Sequence, residues 1–451
     1  MLSLSSETAT RLFGTLALAP DRPLVVAVSG GGDSLLLLLL ADLHLGALGR
    51  RSDLLAVTVD HGLRPEAAGE AREVADFCHQ RGIAHRTVRW EGVKPGAGVS
   101  AAAREARHDL LFAAACDAGA SAIAVGHTLD DHAETVLMRR ERGEGRGLAG
   151  IAPATLVEGE VWIVRPLLSE RRHAIRDALR DAGIAWIDDP SNQSADSERI
   201  RARRVLEASD AGTIRRDVLA VAEGAARDRV AHGEAAAAIL RRHAAMDAPG
   251  LYRLDPDFVA LETPEAALLT LRLLIANAGG NAHLPDETRS QALLARLTGA
   301  PLRATLRGAV IDSRRAGIFL HRESRAAWSG RQPAVPGSLW DGRFRIGAGE
   351  TGEAAFVEAL GLARAAALAE GFADAPRALV RAALAAEPAF IGPDHEADDI
   401  RPHVADPARA RRVAAPWARL MPSFDLAPAR ALAALMGGEV PVPPWTGHND
   451  A

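Results

Sequence analysis

The segment 25–34 constrains the fold of this chain more than any other part of the sequence. It consists of Val-Val-Ala-Val-Ser-Gly-Gly-Gly-Asp-Ser and precedes a run of six leucines at 35–40. The β-branched run predicts a buried strand, the glycines predict a tight loop, and the leucines predict a buried helix. Backbone N–H groups of such a loop converge on an anion, and the positive end of the helix dipole adds to the attraction. The order strand, loop and helix therefore predicts a phosphate-binding site.

This loop differs from two common phosphate-binding motifs. No Gly-Lys-Ser/Thr follows it, which excludes a Walker A motif, and the third glycine of a dinucleotide fingerprint would fall on Leu35. Ser-Gly-Gly-x-Asp-Ser is instead similar to the pyrophosphate loop (PP-loop) of N-type enzymes that split ATP. The residues expected to bind the nucleotide are Ser29, Gly30, Gly31, Gly32, Asp33 and Ser34.

Strand and helix signals alternate along the first half of the chain. Further strands are predicted at 54–59, 122–125 and 162–165, and helices at 65–81, 100–118 and 131–140. Such βαβ repetition predicts an α/β fold with a doubly wound parallel sheet. The resemblance of the loop to PP-loops implies a fold like that of the adenine nucleotide alpha hydrolases. Ligands of such sheets bind at the carboxyl ends of the strands.

The rest of the chain is predicted to be helical or mixed. The pattern indicates helices over 199–245, a boundary at 247–250, a hairpin at 309–321, a linker at 330–336 and an alanine-rich helix at 353–384. A chain of 451 residues is too long for one ordinary core. We predict a catalytic ATP-binding domain at 1–210, a central helical or mixed domain at 211–329 and a C-terminal domain at 330–451.

Composition narrows the classes of function. The net charge of −5 gives no global basic footprint, so a nucleic-acid partner would need local arginine clusters. Lys94 is the only lysine, so a cation that clamps phosphate must be arginine, histidine or a metal. Cys78 and Cys116 form neither a CxxC pair nor a zinc or disulfide framework. The leucine run is far shorter than the roughly 20 residues of a membrane span, and no signal pattern precedes it. These features predict a cytoplasmic protein without a membrane partner.

A cluster of carboxylates follows the predicted strand at 122–125. Asp130 and Asp131 lie four and three residues before Glu134, so the three share one helix face. Carboxylates beside a triphosphate are natural Mg²⁺ ligands. We therefore expect Asp33, Asp130 and Asp131 to hold Mg²⁺. The alternative is ordinary acidic capping of a helix N-terminus.

Arginines mark three further segments. Arg142 lies in a glycine- and arginine-rich loop at 139–150, and Arg64 lies at the end of the second strand, in the turn 60–65. Four arginines occur within six residues, namely Arg199, Arg201, Arg203 and Arg204. Such clusters contact nucleic-acid phosphates. The alternatives are a solvated loop, a capping turn and a solvated helix face, respectively.

Together these residues resemble one family, the tRNA(Ile)-lysidine synthetases, from residue 24 to about residue 206. Besides the glycine loop, the matching segments are 59–64, 103–108, 126–131, 142–145, 165–168 and 188–192. The chain departs from the family pattern at three positions. His108 replaces an aromatic residue, His132 stands where glutamine is usual, and Ile200 stands where asparagine is usual.

The resemblance implies a reaction in two steps. The wobble cytidine in the CAU anticodon of a minor isoleucine tRNA is adenylated with ATP and Mg²⁺, and free L-lysine then displaces AMP from C2. It also implies that the central and C-terminal domains bind tRNA and that Arg64 and the arginine cluster contribute. A homodimer is a further expectation. The catalytic candidates are Asp33, Asp130, Asp131, Arg107, His127 and Glu134.

Within this scheme the residues have distinct expected roles. Arg107 and Arg142 would stabilise phosphate oxygens. Asp131, Glu134 and His127 are the candidates for the base that accepts the proton of the lysine amine.

Three alternatives remain at this stage. A sulfur-inserting tRNA enzyme shares the loop but needs catalytic cysteines, and Cys78 and Cys116 lie on unrelated predicted helices. An amidating synthetase for small molecules also shares the loop, although the C-terminal extension and the segment 61–64 oppose it. A tRNA-binding protein without activity would not need the carboxylates Asp33, Asp130 and Asp131.

Overall fold

The computed structural model describes most of the chain. The described residues are 2–143, 145–187, 198–208, 212–258, 263–297, 301–324, 330–347, 356–392, 400–402 and 408–445. The chain divides into two compact units, Met1–Arg229 with Pro443–Ala451, and Val230–Val442. The finer division into three domains stays a prediction.

The first unit alternates strands and helices, as the sequence predicts. Its elements are α1 (Ser6–Phe13), β1 (Leu24–Ala27), α2 (Gly32–Ala47), β2 (Leu54–Asp60), α3 (Ala67–Gln80), β3 (Ala84–Arg89), α4 (Val99–Asp117), β4 (Ala122–Ala124), α5 (Leu129–Glu141), β5 (Ala154–Val157), β6 (Val161–Val164), α6 (Arg172–Asp181), α7 (Glu198–Ala208) and α8 (Thr213–His243). The last residues of α8 belong to the second unit.

The strands of this unit form a mostly parallel sheet in the order β5-β6-β4-β1-β2-β3. Val25 of β1 lies opposite Leu55 of β2 on one side and Ile123 of β4 on the other. Only β5 runs antiparallel, against β6. The parallel α/β prediction is confirmed. The sequence analysis missed β3 because this edge strand has no apolar run and leaves most of its side chains partly or fully exposed.

Helix α2 carries the leucine run. All six leucines, from Leu35 to Leu40, are at most 7% exposed, which confirms the prediction of a buried helix. Helix α4 packs against the sheet, and its residues Leu111 and Ala114 share a core with Val25 and Ile123 of the strands. No helix in the described part of the chain is both long and apolar enough to cross a bilayer.

The second unit contains three antiparallel sheets and several helices. Its elements are β7 (Ala244–Ala248), β8 (Leu251–Leu254), α9 (Pro264–Ala278), α10 (Glu287–Leu297), β9 (Leu302–Leu306), β10 (Ala309–Arg314), β11 (Gly317–Arg322), β12 (Gln332–Pro333), β13 (Leu339–Trp340), β14 (Phe344–Ile346), β15 (Phe356–Ala359), α11 (Leu362–Leu368), α12 (Arg377–Leu384), β16 (Pro388–Ile391), β17 (Ile400–Pro402), β18 (Ala410–Arg412), β19 (Leu420–Pro422) and α13 (Leu426–Leu435). The sheet orders are β7-β8-β11-β10-β9, β12-β15-β16-β17 and β13-β14-β18. The predicted hairpin at 309–321 is confirmed as β10 and β11.

Three sequence predictions for this unit were wrong. The segment 247–250 lies at the turn of the β7–β8 hairpin and is not a boundary between regions. The prediction failed because Pro-Gly occurs in tight turns as well as at such boundaries. The single helix predicted at 353–384 is broken, because Gly361 precedes α11 and Pro376 precedes α12. The linker at 330–336 contains β12, which pairs with β15.

Candidate active site

One cavity of about 920 Å³ lies at the carboxyl ends of β1, β2 and β4. It brings together residues predicted from five separate segments of the sequence. The predicted site residues that line it are Ser29, Gly31, Gly32, Asp33, Ser34, Arg64, Arg107, His127, Asp131, Arg199 and Arg203. The predicted site residues that do not line it are Gly30, Asp130, Glu134, Arg142, Arg201 and Arg204.

The glycine loop is held by its own serines. Ser34 Oγ donates to the carbonyl oxygen of Gly31 at 2.9 Å and accepts from the Ser29 N–H at 3.1 Å. Gly30 has a φ of +84°, and a Cβ there would lie 2.7 Å from Ile187 Cδ1. Only glycine fits that position. Gly31 immediately precedes α2, so the N-terminal end of the helix opens into the cavity.

Asp131 combines capping with a site function. Its Oδ2 accepts hydrogen bonds from the Thr128 N–H and hydroxyl, both at 2.8 Å, which caps α5. Its Oδ1 faces the cavity and lies 2.8 Å from Nη2 of Arg172 and 3.3 Å from Nη2 of Arg199. Asp131 therefore uses Oδ2 to cap the helix, as the capping alternative predicts, and Oδ1 to bind the arginines of the site.

Arg172 is the residue of this site that the sequence analysis missed. Its guanidinium lies 3.5 Å from Asp33, 2.8 Å from Asp131 and 3.4 Å from Glu134. Its backbone N–H also donates to Asp130 Oδ2 at 2.7 Å. The only local signal was the Arg171-Arg172 pair, which resembles any charged helix start.

Asp33 is the carboxylate whose titration is most perturbed. Burial raises its pKa to about 6, and Asp131 adds to the rise, although the Arg172 guanidinium opposes both. Asp130 behaves differently. Burial works against its charged form, but the Arg172 N–H and the guanidinium of Arg171 bring its pKa below the ordinary value. The Asp33 carboxylate, which is 27% exposed, therefore lacks part of the positive charge that would stabilise it.

The predicted three-carboxylate metal site is not assembled as such. Asp33 and Asp131 meet at Arg172, while Asp130 turns towards Arg171 at 3.2 Å and Arg215 at 3.6 Å. Among the described residues, no group of three His, Cys, Asp or Glu side chains is arranged to hold a metal ion. Mg²⁺ is often held by one or two carboxylates together with phosphate oxygens. The pair Asp33 and Asp131 fits that donor set, and the unmet charge on Asp33 favours a cation there.

The arginine cluster of α7 divides between two faces of the helix. Arg199 and Arg203 each place Nε 2.8 Å from the carboxylate of Glu134, which is only 1% exposed. Arg201 and Arg204 are exposed. The tRNA-binding role expected for the four arginines stays a prediction. Residues four apart share a helix face, so 199 and 203 point inwards together.

A further part of the cavity wall contains Arg107 and His127. Arg107 lines it, and no carboxylate among the described residues pairs with its guanidinium. His127 is partly buried, and its Nδ1, which is inaccessible to solvent, has no hydrogen-bond partner within the described part of the chain. Burial, together with Arg165 and Arg107, holds the pKa of His127 well below its ordinary value. This wall is suited to an anionic group.

Two further predicted residues occupy less central positions. Arg142 is half-exposed and forms an ion pair with Glu198. Arg64 lines the cavity and lies 3.0 Å from Glu70. The motif residue Glu144 and the motif at 188–192 lie outside the described residues.

The glycine loop at the end of β1, with carboxylates and an unpaired arginine facing it, defines a PP-loop enzyme that binds ATP. A family model described as the PP-loop domain matches residues 4–209. The chain is 45% identical over 463 residues to a tRNA(Ile)-lysidine synthase of Mesorhizobium japonicum, covering 100% of both chains. It is 42% identical over 342 residues to a tRNA(Ile)-lysidine synthase of Brucella ovis, covering 74% of this chain and 76% of that one. The chain belongs to the tRNA(Ile)-lysidine synthase family.

Among solved structures, the chain is similar to a U34-tRNA thiolase of Methanococcus maripaludis. The TM-score is 0.41 at 20% identity, covering 50% of this chain and 79% of that chain. In this chain Cys78 is buried and Cys116 is exposed, and both are free. Sulfur insertion is not favoured, because the curated relatives at 45% and 42% identity are tRNA(Ile)-lysidine synthases.

Proposed function

We propose that this enzyme joins free L-lysine to C2 of the wobble cytidine in the CAU anticodon of a minor isoleucine tRNA, and converts ATP to AMP and pyrophosphate. One observation carries the proposal. A glycine loop at a helix N-terminus, two acidic side chains and an unpaired arginine face one cavity in a member of this family. We also infer that it acts in the cytoplasm, where its three substrates occur. A homodimer stays a prediction that sedimentation velocity would test.

In the first step, O2 of the cytidine attacks the α-phosphate of ATP and pyrophosphate leaves. The loop from Ser29 to Ser34 binds the leaving pyrophosphate through those N–H groups at the start of α2 that have no partner within the loop, since the Ser29 N–H already donates to Ser34 Oγ. Arg107 stabilises charge on the phosphate oxygens, since its guanidinium is not neutralised by a carboxylate of the described residues. Arg142 remains a weaker candidate for this role because it pairs with Glu198 outside the cavity.

Asp33 and Asp131 are the residues that would hold Mg²⁺. The bound ion supplies neutralisation of the negative charge that builds up on the polyphosphate. Asp130 supports the site indirectly, because it accepts the backbone N–H of Arg172 and so fixes the start of α6.

In the second step, the lysine amine attacks C2 and AMP leaves. A lysine amine with a pKa of about 10.4 is mostly protonated at neutral pH, so a base must accept its proton. Glu134 and Asp131 already engage guanidinium groups with their carboxylates. His127 keeps a ring nitrogen without a partner among the described residues and is neutral at pH 7. Asp131, Glu134 and His127 stay the three candidates for this base, and the nearby cations lower the pKa of an incoming amine.

The direct test is the incorporation of radiolabelled lysine into an isoleucine tRNA transcript with a CAU anticodon, in the presence of ATP and Mg²⁺. We expect label on the tRNA only when ATP is present. A transcript with uridine at the wobble position and the Asp33→Ala variant are the controls, and neither should give label. Pyrophosphate formation that depends on tRNA, without label, would mean that lysine is the wrong nucleophile.

A further inference from the structure

An aromatic and a cationic side chain meet at the rim of the cavity without any role in the steps above. Trp90 directly follows β3. Its backbone N–H donates to the carbonyl oxygen of Asp60, at the end of β2, at 2.9 Å. This bond places the indole beside His61, with the two ring centroids 6.3 Å apart and the ring planes at 89°. Lys94 Nζ lies 4.0 Å from the centroid of the Trp90 ring and also donates to the Trp90 carbonyl oxygen.

The position of this group relative to the cavity is defined by His61. His61 lines the cavity, while Trp90 and Lys94 lie just outside the lining. Trp90 is only partly buried, and the segment after it is open, with Val93 98% exposed. A tryptophan that served only the core would be covered. The indole is instead partly accessible beside His61, a residue of the cavity lining.

The ammonium group of Lys94 is not paired with a carboxylate of the described residues. The only lysine of the chain rests instead on an aromatic ring and a carbonyl oxygen. Arg89 is also largely exposed, with Nε 3.6 Å from Asp60. Aromatic rings next to exposed cations are the combination by which proteins bind single-stranded RNA, since bases stack and phosphates meet the cations.

We propose that Trp90 and Lys94 bind one unpaired nucleotide of the tRNA next to the target cytidine, with the base stacked on the indole and the phosphate at the ammonium. This assignment rests on the proposed function. The target base must leave the anticodon stack to enter the cavity, and a stacking partner for its neighbour stabilises the opened loop. An adenine ring of ATP has the same stacking chemistry, so the experiment must separate the two nucleotides.

The experiment compares the KM for tRNA with the KM for ATP in lysine incorporation by the full-length enzyme. Trp90→Leu should raise the KM for tRNA by about 5- to 100-fold, the range expected for one lost base–aromatic stack. The KM for ATP should stay at the wild-type value. Trp90→Phe keeps an aromatic face and should recover most of the loss. Lys94→Gln should reduce the salt slope of tRNA binding by about 0.7, as for one single-strand phosphate contact.

Arg227→Gln is the matched control for loss of a cation. Arg227 is exposed in the same unit and pairs with Glu223 four residues away on α8. It should leave the KM for tRNA and the salt slope unchanged. Equal effects of Arg227→Gln and Lys94→Gln would overturn the assignment, because they would reflect overall charge alone.

A second measurement does not depend on turnover. Tryptophan fluorescence is titrated with an anticodon stem–loop RNA, and the quenching in wild type should exceed that in Trp90→Phe. A rise in the KM for ATP instead of tRNA, or equal quenching in both proteins, would overturn the assignment to RNA. If the wild type incorporates no lysine at all, the proposed function fails, while the fluorescence titration still decides whether Trp90 contacts RNA.

Discussion

Arg172 is a single cation shared by three carboxylates, from Asp33, Asp131 and Glu134. Its side chain is 20% exposed, so water screens these interactions only in part. Its charge and the carboxylates come from segments about 40 to 140 residues apart in the chain, as their residue numbers show. The guanidinium therefore holds the α2, α5 and α6 ends of the site together.

Arg172→Gln should destabilise the first unit by about 2–4 kcal/mol, because it leaves partly buried carboxylates without their shared cation. Urea unfolding followed by circular dichroism would measure this loss. Arg180→Gln is the control on the same helix, since Arg180 and Asp177 form an exposed pair. That variant should stay within about 0.5 kcal/mol of wild type. Similar stabilities for the two variants would refute the role of Arg172.

Asp33→Asn should stabilise the protein at neutral pH. Burial raises the pKa of Asp33 from 3.8 to about 6 in the folded state. As the pH rises through this range, the unfolded state releases the proton first, so the native state loses stability. The loss is complete above pH 6 and amounts to about 1–3 kcal/mol at 1.36 kcal/mol per pKa unit.

The predicted direction of this pH dependence is tested by measuring the free energy of unfolding of the wild type and of Asp33→Asn at several pH values. The variant should be the more stable protein at pH 7.5, and the difference should shrink as the pH falls towards about 4. A difference independent of pH would contradict the raised pKa. Lysine incorporation should be lost in the variant at every pH, because Asp33 is a proposed Mg²⁺ ligand.

The position of the glycine loop depends on a residue outside the loop, Gly126. Gly126, after β4, lies so close that a Cβ would approach the backbone of Asp33 and Ser34 to 3.1 Å. Gly126→Ala should therefore displace the loop and raise the KM for ATP. Gly69→Ala is the matched control, because Gly69 lies in α3 with open space where its Cβ would be. That change should be neutral or stabilise the protein by up to about 1 kcal/mol.

The two faces of helix α7 have different expected roles. We expect the exposed arginines to contact tRNA and the inner arginines to stabilise the buried Glu134. Arg201→Ala with Arg204→Ala should weaken tRNA binding and flatten its salt slope by about 1–2 units, with little effect on stability. Arg203→Ala should lower stability instead, because it removes a partner from the buried Glu134. Filter binding at several salt concentrations and urea unfolding would measure the two effects. An unchanged salt slope in the double variant would make the outer face of α7 an ordinary solvated surface.

At the scale of the whole molecule, residues 444–445 pair with residues 16–17. Ala17 N–H donates to the carbonyl oxygen of Pro444 at 2.8 Å, and Leu16 forms a β-bridge with Trp445. Residues 443–445 therefore belong to the first unit although they end the described chain. No local pattern in the sequence indicates this pairing, because a single bridge has neither periodicity nor a motif.

The sequence by itself determined the parallel α/β architecture, the glycine loop, the buried leucine helix and the β10–β11 hairpin. These follow from local rules, namely the period of apolar residues, the conformational freedom of glycine and the spacing of turn residues. It also placed Asp33, Asp131 and His127 near one sheet edge, because parallel strands bring their carboxyl ends together. Arg107 was predicted from the family resemblance.

Only the tertiary structure decided which charges meet. It assigned Arg172 to three carboxylates, turned Asp130 away from Asp33, and directed Arg199 and Arg203 inwards to Glu134. It also raised the pKa of Asp33 and placed Trp90 beside His61. The physical reason is that electrostatic interactions depend on distance and burial between distant segments. A residue's type and its sequence neighbours fix neither of these.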